Sequence, residues 1–173
     1  AFAPDLDAVA ALNYTGGTTG MPKGVLIEHR GVTNLIHYAR ERYGVKPSDV
    51  VLGTAPYTFD TFVEEVFMAL CWGATSMLTT QPVLLSPEEL IARIRLRAVT
   101  ILQITPALLS VLNQADMDSV RTIITGGGTV GQQRGNGGSF VGAAVAKELM
   151  IMAHGGHPRH YDGVDVVDLA NTT

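Results

Sequence analysis

The apolar positions of this chain change their spacing several times, and each change marks an element. Val32, Leu35, Ile36, Ala39 and Tyr43 recur at helical intervals, and Gly44 with Pro47 supply the stop. Just before them, "GVLIEH" is a short, apolar, β-branched run that predicts a strand. "DVVLGTAP" reads as a buried strand, and "DTFVEEVFMALCWG" as a helix that Asp60 is placed to cap and Gly73 to close. "ATSMLTT" predicts another strand. In "SPEELIARIRLR", Ser86 with Glu89 makes a capping box, and Pro87 falls at the first helical position, where its missing N–H costs nothing. "AVTILQIT" is strand, "PALLSVLNQ" a short helix, and "VRTIIT" a strand running into "GGG". This alternation predicts an α/β fold with a mostly parallel sheet.

The pattern breaks at Gly126. Between Gly126 and Gly138 seven of thirteen residues are glycine and the apolar period disappears. "FVGAAVAKELMIMA" is compatible with a helix and "VDVVDLA" with one further element, but residues 128–173 are otherwise unassigned. No internal repeat is visible.

Composition narrows the class. With 46% hydrophobic and 16% charged residues over 173 positions, the chain reads as globular. A net charge of −4 without any Lys/Arg stripe argues against nucleic acid or an anionic membrane as partner. The single cysteine, Cys71, precludes an internal disulfide and fits a reducing compartment, with cytoplasm the default. The uncharged run from Val66 to Pro87 is interrupted by Gly73, Thr79, Thr80, Gln81 and Pro82, poor occupants of hydrocarbon. The opening "AFAPDLDAVAALNYTGG" has no basic segment, apolar core or initiator methionine, so a cut from a longer chain is expected.

Chemistry concentrates in "YTGGTTGMPKGV", residues 14–25. Glycines let the backbone approach a ligand closely, and consecutive amides can converge on an anion. Thr15, Thr18 and Thr19 add hydroxyl donors and Lys23 a cation, a set suited to a polyphosphate. A Walker loop is excluded: Pro22 precedes the lysine, Gly24 follows it, and a strand comes next. A surface hairpin whose glycines serve only turn geometry would also account for the bare composition.

The ordered run decides between them by resemblance. Tyr14, Thr15, Gly17, Thr18, Thr19, Gly20, Pro22, Lys23, Gly24 and Val25 are similar to the phosphate-binding core motif of the adenylate-forming superfamily, with Gly16 where serine is commoner. A second run, "YTFDTFVEEVFMALCWGAT", resembles a motif of nonribosomal peptide synthetase adenylation domains through Phe59, Asp60, Val63, Glu65, Phe67, Leu70, Gly73 and Ala74, with Phe62 departing from serine. "ILQITPALL" and "VRTIITGGG" extend the likeness, although Gly128 stands where the family has glutamate.

The resemblance implies part of the large N-terminal domain of an adenylation (AMP-binding) domain over residues 1–127. It implies ATP and Mg2+, with Thr15, Gly16, Gly17, Thr18, Thr19, Gly20 and Lys23 binding ATP and Thr18, Thr19 and Lys23 serving catalysis. It further implies an amino-acid substrate whose α-amine pairs with Asp60, in a pocket lined by Asp60, Thr61, Glu64, Gln103, Ile124 and Gly126. Partners would be condensation domains and peptidyl carrier domains bearing phosphopantetheine. Asp60 read without the loop is a plain helix cap. Glu64 either meets a polar or basic substrate side chain or faces solvent on its helix. Alternatives to amino-acid activation are an acyl-CoA or aryl-acid ligase of the same superfamily, or a noncatalytic nucleotide-binding fragment.

The family's later motifs, an aromatic-Gly-Pro-Thr-Glu run and a C-terminal catalytic lysine, have no counterpart in the tail, so this chain alone is expected to be inactive. A change of reading frame near residue 128 would explain the loss. Two other patterns there are weak. Gly126, Gly128 and Gly131 satisfy a dinucleotide-loop spacing, but "QQRGNGG" is a poor helix opening. His154, His157 and His160 near Asp162 match no helical metal motif and read as solvated.

Overall fold

The structure is a computed structural model and describes residues 5–15, 22–80, 86–112, 117–125 and 165–168. β1 (Val9–Thr15) and β2 (Lys23–Glu28) form an antiparallel hairpin in which Leu12 opposes Leu26 and Thr15 opposes Lys23. The β1 stretch "VAALNYT" carries two alanines and an asparagine, weak strand formers, and owes its conformation to pairing with β2.

Helix α1 (His29–Tyr43) follows directly and buries Val32, Leu35, Ile36, Ala39 and Tyr43. Gly44 ends it in the left-handed region at φ 60°, its N–H reaching the Arg40 carbonyl at 2.9 Å. The main sheet contains β3 (Val50–Gly53), β4 (Thr75–Met77), β5 (Ile101–Ile104), β6 (Thr122–Thr125) and β7 (Asp165–Asp168), in the order β4-β3-β5-β6-β7. The first four strands are mutually parallel, and β7, within "VDVVDLA", pairs antiparallel with β6. Helices α2 (Asp60–Leu70), α3 (Pro87–Leu96) and α4 (Pro106–Leu109) occur in the connections. The alternating pattern thus produces the α/β fold with a mostly parallel sheet that it predicts.

Strand alternation distributes the core to two faces. Leu52, Leu102, Ile104 and Ile123 pack with Leu90 and Ile94 of α3. Val51, Ile101 and Ile124 pack with Ala39 and Tyr43 of α1 and Met68 and Ala69 of α2. Each fully buried Leu or Ile contributes roughly 1.5–3 kcal/mol of transfer free energy. A smaller cluster of Ile27, Val32 and Ile36 joins the hairpin to α1.

Local details differ from expectation at three places. Phe59, not Asp60, is the N-cap of α2, and Asp60 is its first helical residue. Gly73 does close that segment with φ 75°, one turn after the helix ends. The Ser86 hydroxyl accepts the Glu89 N–H at 3.3 Å, but the Glu89 carboxylate takes Arg93 at 3.0 Å, a favourable i,i+4 pair, rather than completing the box. α4 stops after four residues, and the Ser110 hydroxyl donates to the Ala107 carbonyl at 2.7 Å just beyond its end. No helix among the described residues is long and apolar enough to cross a membrane.

Candidate functional site

Open parallel sheets bind ligands at the carboxyl ends of their strands. Here that edge is formed by Gly53, Gln103, Ile124 and their successors, and α2 lies against it. Asp60 and Thr61 open α2, half-buried, and the Asp60 carboxylate accepts the Thr61 N–H at 2.9 Å and hydroxyl at 3.4 Å. The amide of Asn13, with its oxygen turned toward the helix, accepts the Asp60 backbone N–H at 2.9 Å. This contact brings the strand entering the glycine loop to the start of the Asp60 helix.

The buried face of α2 is polar in its first half and apolar in its second. Glu64, Glu65, Met68 and Ala69 are buried, while Phe67 and Leu70 are 44% and 58% exposed, an inversion of ordinary amphipathicity. Glu64 is therefore not solvent-facing: only 6% exposed, it accepts the Tyr43 hydroxyl at 3.2 Å and Gln103 Nε2 at 3.0 Å. Burial of a carboxylate on this face is tolerated because those donors meet it.

Glu65 occupies the space where a side chain on Gly53 would lie. A Cβ at Gly53 would overlap its carboxylate, so glycine is required there for room. Glu65 Oε1 accepts the Thr54 N–H at 3.0 Å and the Ala55 N–H at 3.1 Å, and the Thr54 hydroxyl donates to the Gln103 carbonyl at 3.0 Å. Burial pushes the Glu65 carboxyl up to about 7; the Ala55 and Thr54 amides oppose this and the charge of Glu64 adds to it.

Gln103 uses its nitrogen on Glu64 and leaves Oε1 buried without a partner among the described residues. Thr125 Oγ1, at the end of β6, is likewise unpartnered there. Ile124 is 4% exposed and packed into the core beside α1 and α2. Thr15 and Lys23 sit opposite one another in the hairpin register. Gly16, Gly17, Thr18, Thr19, Gly20 and Gly126 lie outside the described residues, as do the tail glycines and histidines. Among the described residues no group of His, Cys, Asp and Glu could hold a metal ion.

Sequence reasoning missed Asn13, the Tyr43 hydroxyl and the space-making role of Gly53 as parts of this site. Glu65 was visible as a motif position, and two adjacent glutamates in an apolar helix were the available signal.

These features meet in a known family: the chain matches AMP-binding enzymes over residues 1–137 and belongs to that family. Among its relatives, tyrocidine synthase 3 of Brevibacillus parabrevis is 38% identical over 122 residues, covering 69% of this chain and 2% of that protein. Phosphinothricin tripeptide synthetase PhsC of Streptomyces viridochromogenes is 35% identical over 121 residues, covering 70% of this chain and 11% of that protein. The chain thus spans a small fraction of the length of these relatives. Among solved structures, the N-terminal subdomain of Klebsiella oxytoca NpsA, in complex with 3-hydroxyanthranilyl-AMSN, superposes with a TM-score of 0.64 at 27% identity, covering 73% of this chain and 33% of that one. The McyG A-PCP structure, complexed with phenylalanyl-adenylate, shares the fold with a TM-score of 0.65 at 23% identity, over 72% of this chain and 21% of that one.

Proposed function

We propose that this chain is part of the large subdomain of an amino-acid adenylation domain within a longer synthetase. The observation that carries the reading is the juxtaposition of its two motif-bearing segments: Asn13, two residues before Thr15, is hydrogen-bonded at 2.9 Å to the backbone of Asp60. The strand that leads into a run of glycines, threonines and Lys23 suited to phosphate thereby meets the backbone of Asp60, whose carboxylate is suited to an ammonium group. In the reaction, an amino-acid carboxylate oxygen attacks the α-phosphorus of ATP. The bond to the β-phosphate breaks, giving aminoacyl-adenylate and pyrophosphate. A phosphopantetheine thiol of a peptidyl carrier then takes the acyl group and releases AMP, and condensation domains use the thioester.

The residues contribute by position and charge. Thr15, Gly16, Gly17, Thr18, Thr19, Gly20 and Lys23 would cradle the phosphates, with Thr18, Thr19 and Lys23 meeting the charge that develops as pyrophosphate leaves. Mg2+ would arrive with ATP and neutralise its oxygens. Asp60 and Thr61 would receive the α-amine end. Glu64, Gln103, Ile124 and Gly126 would line the side-chain pocket, where Gln103 Oε1, unpartnered among the described residues, favours a substrate bearing N–H or O–H donors. A polar or basic amino acid such as ornithine, lysine or arginine meets that condition. Dependence on ATP and the single cysteine fit a cytoplasmic setting.

Amino-acid-dependent pyrophosphate exchange by the parent protein tests the reading. Exchange with a polar or basic amino acid is expected, with Asp60→Asn raising its KM by roughly 30-fold or more through loss of a buried charge pair. A preference for leucine or phenylalanine would overturn the pocket assignment. Turnover of an aryl or fatty acid, which lacks the α-amine, would replace the amino-acid reading with a ligase of the other branch.

A further inference from the structure

Helix α2 has an unusual start. Its N-cap, Phe59, offers no side-chain acceptor, and the carboxylate of Asp60 is turned to Thr61. The first-turn N–H groups of a helix have no intrahelical partner, and here the acceptor for Asp60 comes from another element. Asn13 Oδ1 takes the Asp60 N–H at 2.9 Å, while Asn13 Nδ2 donates to the Leu12 carbonyl at 3.2 Å. The reverse amide orientation would set donor against donor and acceptor against acceptor, so the surrounding groups select this one.

The bond joins the hairpin to the start of α2. Asn13 is two residues from Thr15, where β1 enters the glycine loop, and pairs across the hairpin with Val25, two residues beyond Lys23. At the far end of the β3–α2 connection, Glu65 holds the Thr54 and Ala55 amides. The segment carrying Asp60 is therefore pinned at its beginning by its own helix and at its end by the hairpin. We propose that Asn13 is a positioning residue that holds Asp60 at a fixed spacing from Thr15 and Lys23, the paired strand residues that frame the glycine run, so that the amino acid and ATP meet in register. This rests on the adenylation reading above. Misplacement of a reacting group by about 1 Å can cost 100-fold in rate, which makes such a spacing bond consequential.

The test uses two near-isosteric variants of the parent protein, Asn13→Leu, which lacks the acceptor, and Asn13→Asp, which keeps it. In pyrophosphate exchange, Asn13→Leu should raise the amino-acid KM about tenfold with the ATP KM unchanged within about twofold, and Asn13→Asp should restore the amino-acid KM. A fall in kcat with both KM values unchanged, the mark of fewer folded molecules, would overturn the proposal, as would an Asp variant as impaired as the Leu variant. Hydrogen exchange of peptides covering residues 55–62 gives a readout independent of turnover. Faster exchange in the Leu variant alone supports the bond, and equal exchange in all three proteins overturns it. If the wild type shows the bond by exchange but activates no amino acid, the functional reading falls while the bond stands.

Discussion

The two ends of the main sheet each bury carboxylates, and they treat them in opposite ways. At the amino end, Asp49, Thr100 and Arg121 immediately precede β3, β5 and β6. Arg121 donates to Asp49 at 2.5 Å and 3.1 Å and caps the Tyr43 and Gly44 carbonyls at 3.2 Å and 3.0 Å. The Lys46 N–H and Thr100 hydroxyl complete the ring around Asp49, each at 2.8 Å. Burial pushes the Asp49 carboxyl up, but the bonds from Arg121, Lys46 and Thr100 and the charge of Arg121 outweigh it and hold the group below its usual range. At the carboxyl end, Glu64 and Glu65 lie side by side with neutral donors, and Glu65 is pushed up to about 7. One edge closes its polar network with a cation and serves stability. The other holds the Glu65 carboxyl against the penalty of burial without a cation and retains polar atoms that are unpartnered among the described residues.

Breaking the closed edge should have the largest effect. Arg121→Ala leaves Asp49, 3% exposed, without its cation, at an expected cost of about 3 kcal/mol or more. Hydrogen exchange of the β5 and β6 amides in the parent protein would read this as a matching loss of protection; no change would mean the closed edge is not a staple.

Acidity should then separate the edges by sign. Glu65 has a folded pKa above its ordinary 4.5, so the native state binds the extra proton and local stability falls as pH rises from 4.5 through about 7, by about 3 kcal/mol at most. Asp49 has a folded value below 3.8, so its contribution is present above that pH and disappears as pH falls through the lower value. Exchange protection corrected for intrinsic rates should show these opposite slopes, and Glu65→Gln should flatten the first alone. Slopes of the same sign at both edges would erase the contrast.

Smaller substitutions sharpen it. Gly53→Ala forces Glu65 aside and should destabilise the open edge by about 2 kcal/mol, seen as faster exchange at Thr54 and Ala55. Tyr43→Phe removes one donor to Glu64 and should cost about 1 kcal/mol, with the larger loss of protection in α2 than around Asp49. Equal losses at both places would show that Tyr43 acts only through packing.

Much of the fold was legible in local pattern. The helical recurrence from Val32 to Tyr43, the Gly44 stop and the apolar runs of β3, β5 and β6 all occur where expected, because burial and chain geometry impose those periods. β1 was not legible, since its residues become a strand only through β2. Asp60 falls one position inside the cap that its residue type predicts, because Phe59, a residue type not associated with capping, holds that place. The site was legible only where resemblance reached. The glycine loop and Asp60 stood out as residues, but the contact between β1 and the Asp60 helix runs through Asn13, which no motif singles out.

By itself the sequence determined the alternation of strands and helices, because this depends on the spacing of apolar residues along the chain, and its ordered motifs carried the resemblance that pointed to the family. Tertiary structure alone decided that Glu64 faces inward, that Glu65 fills the space beside Gly53, and that Asn13 meets Asp60 across 47 positions of sequence. Those outcomes depend on which helix face meets which strand end, a property of packing that no local period encodes.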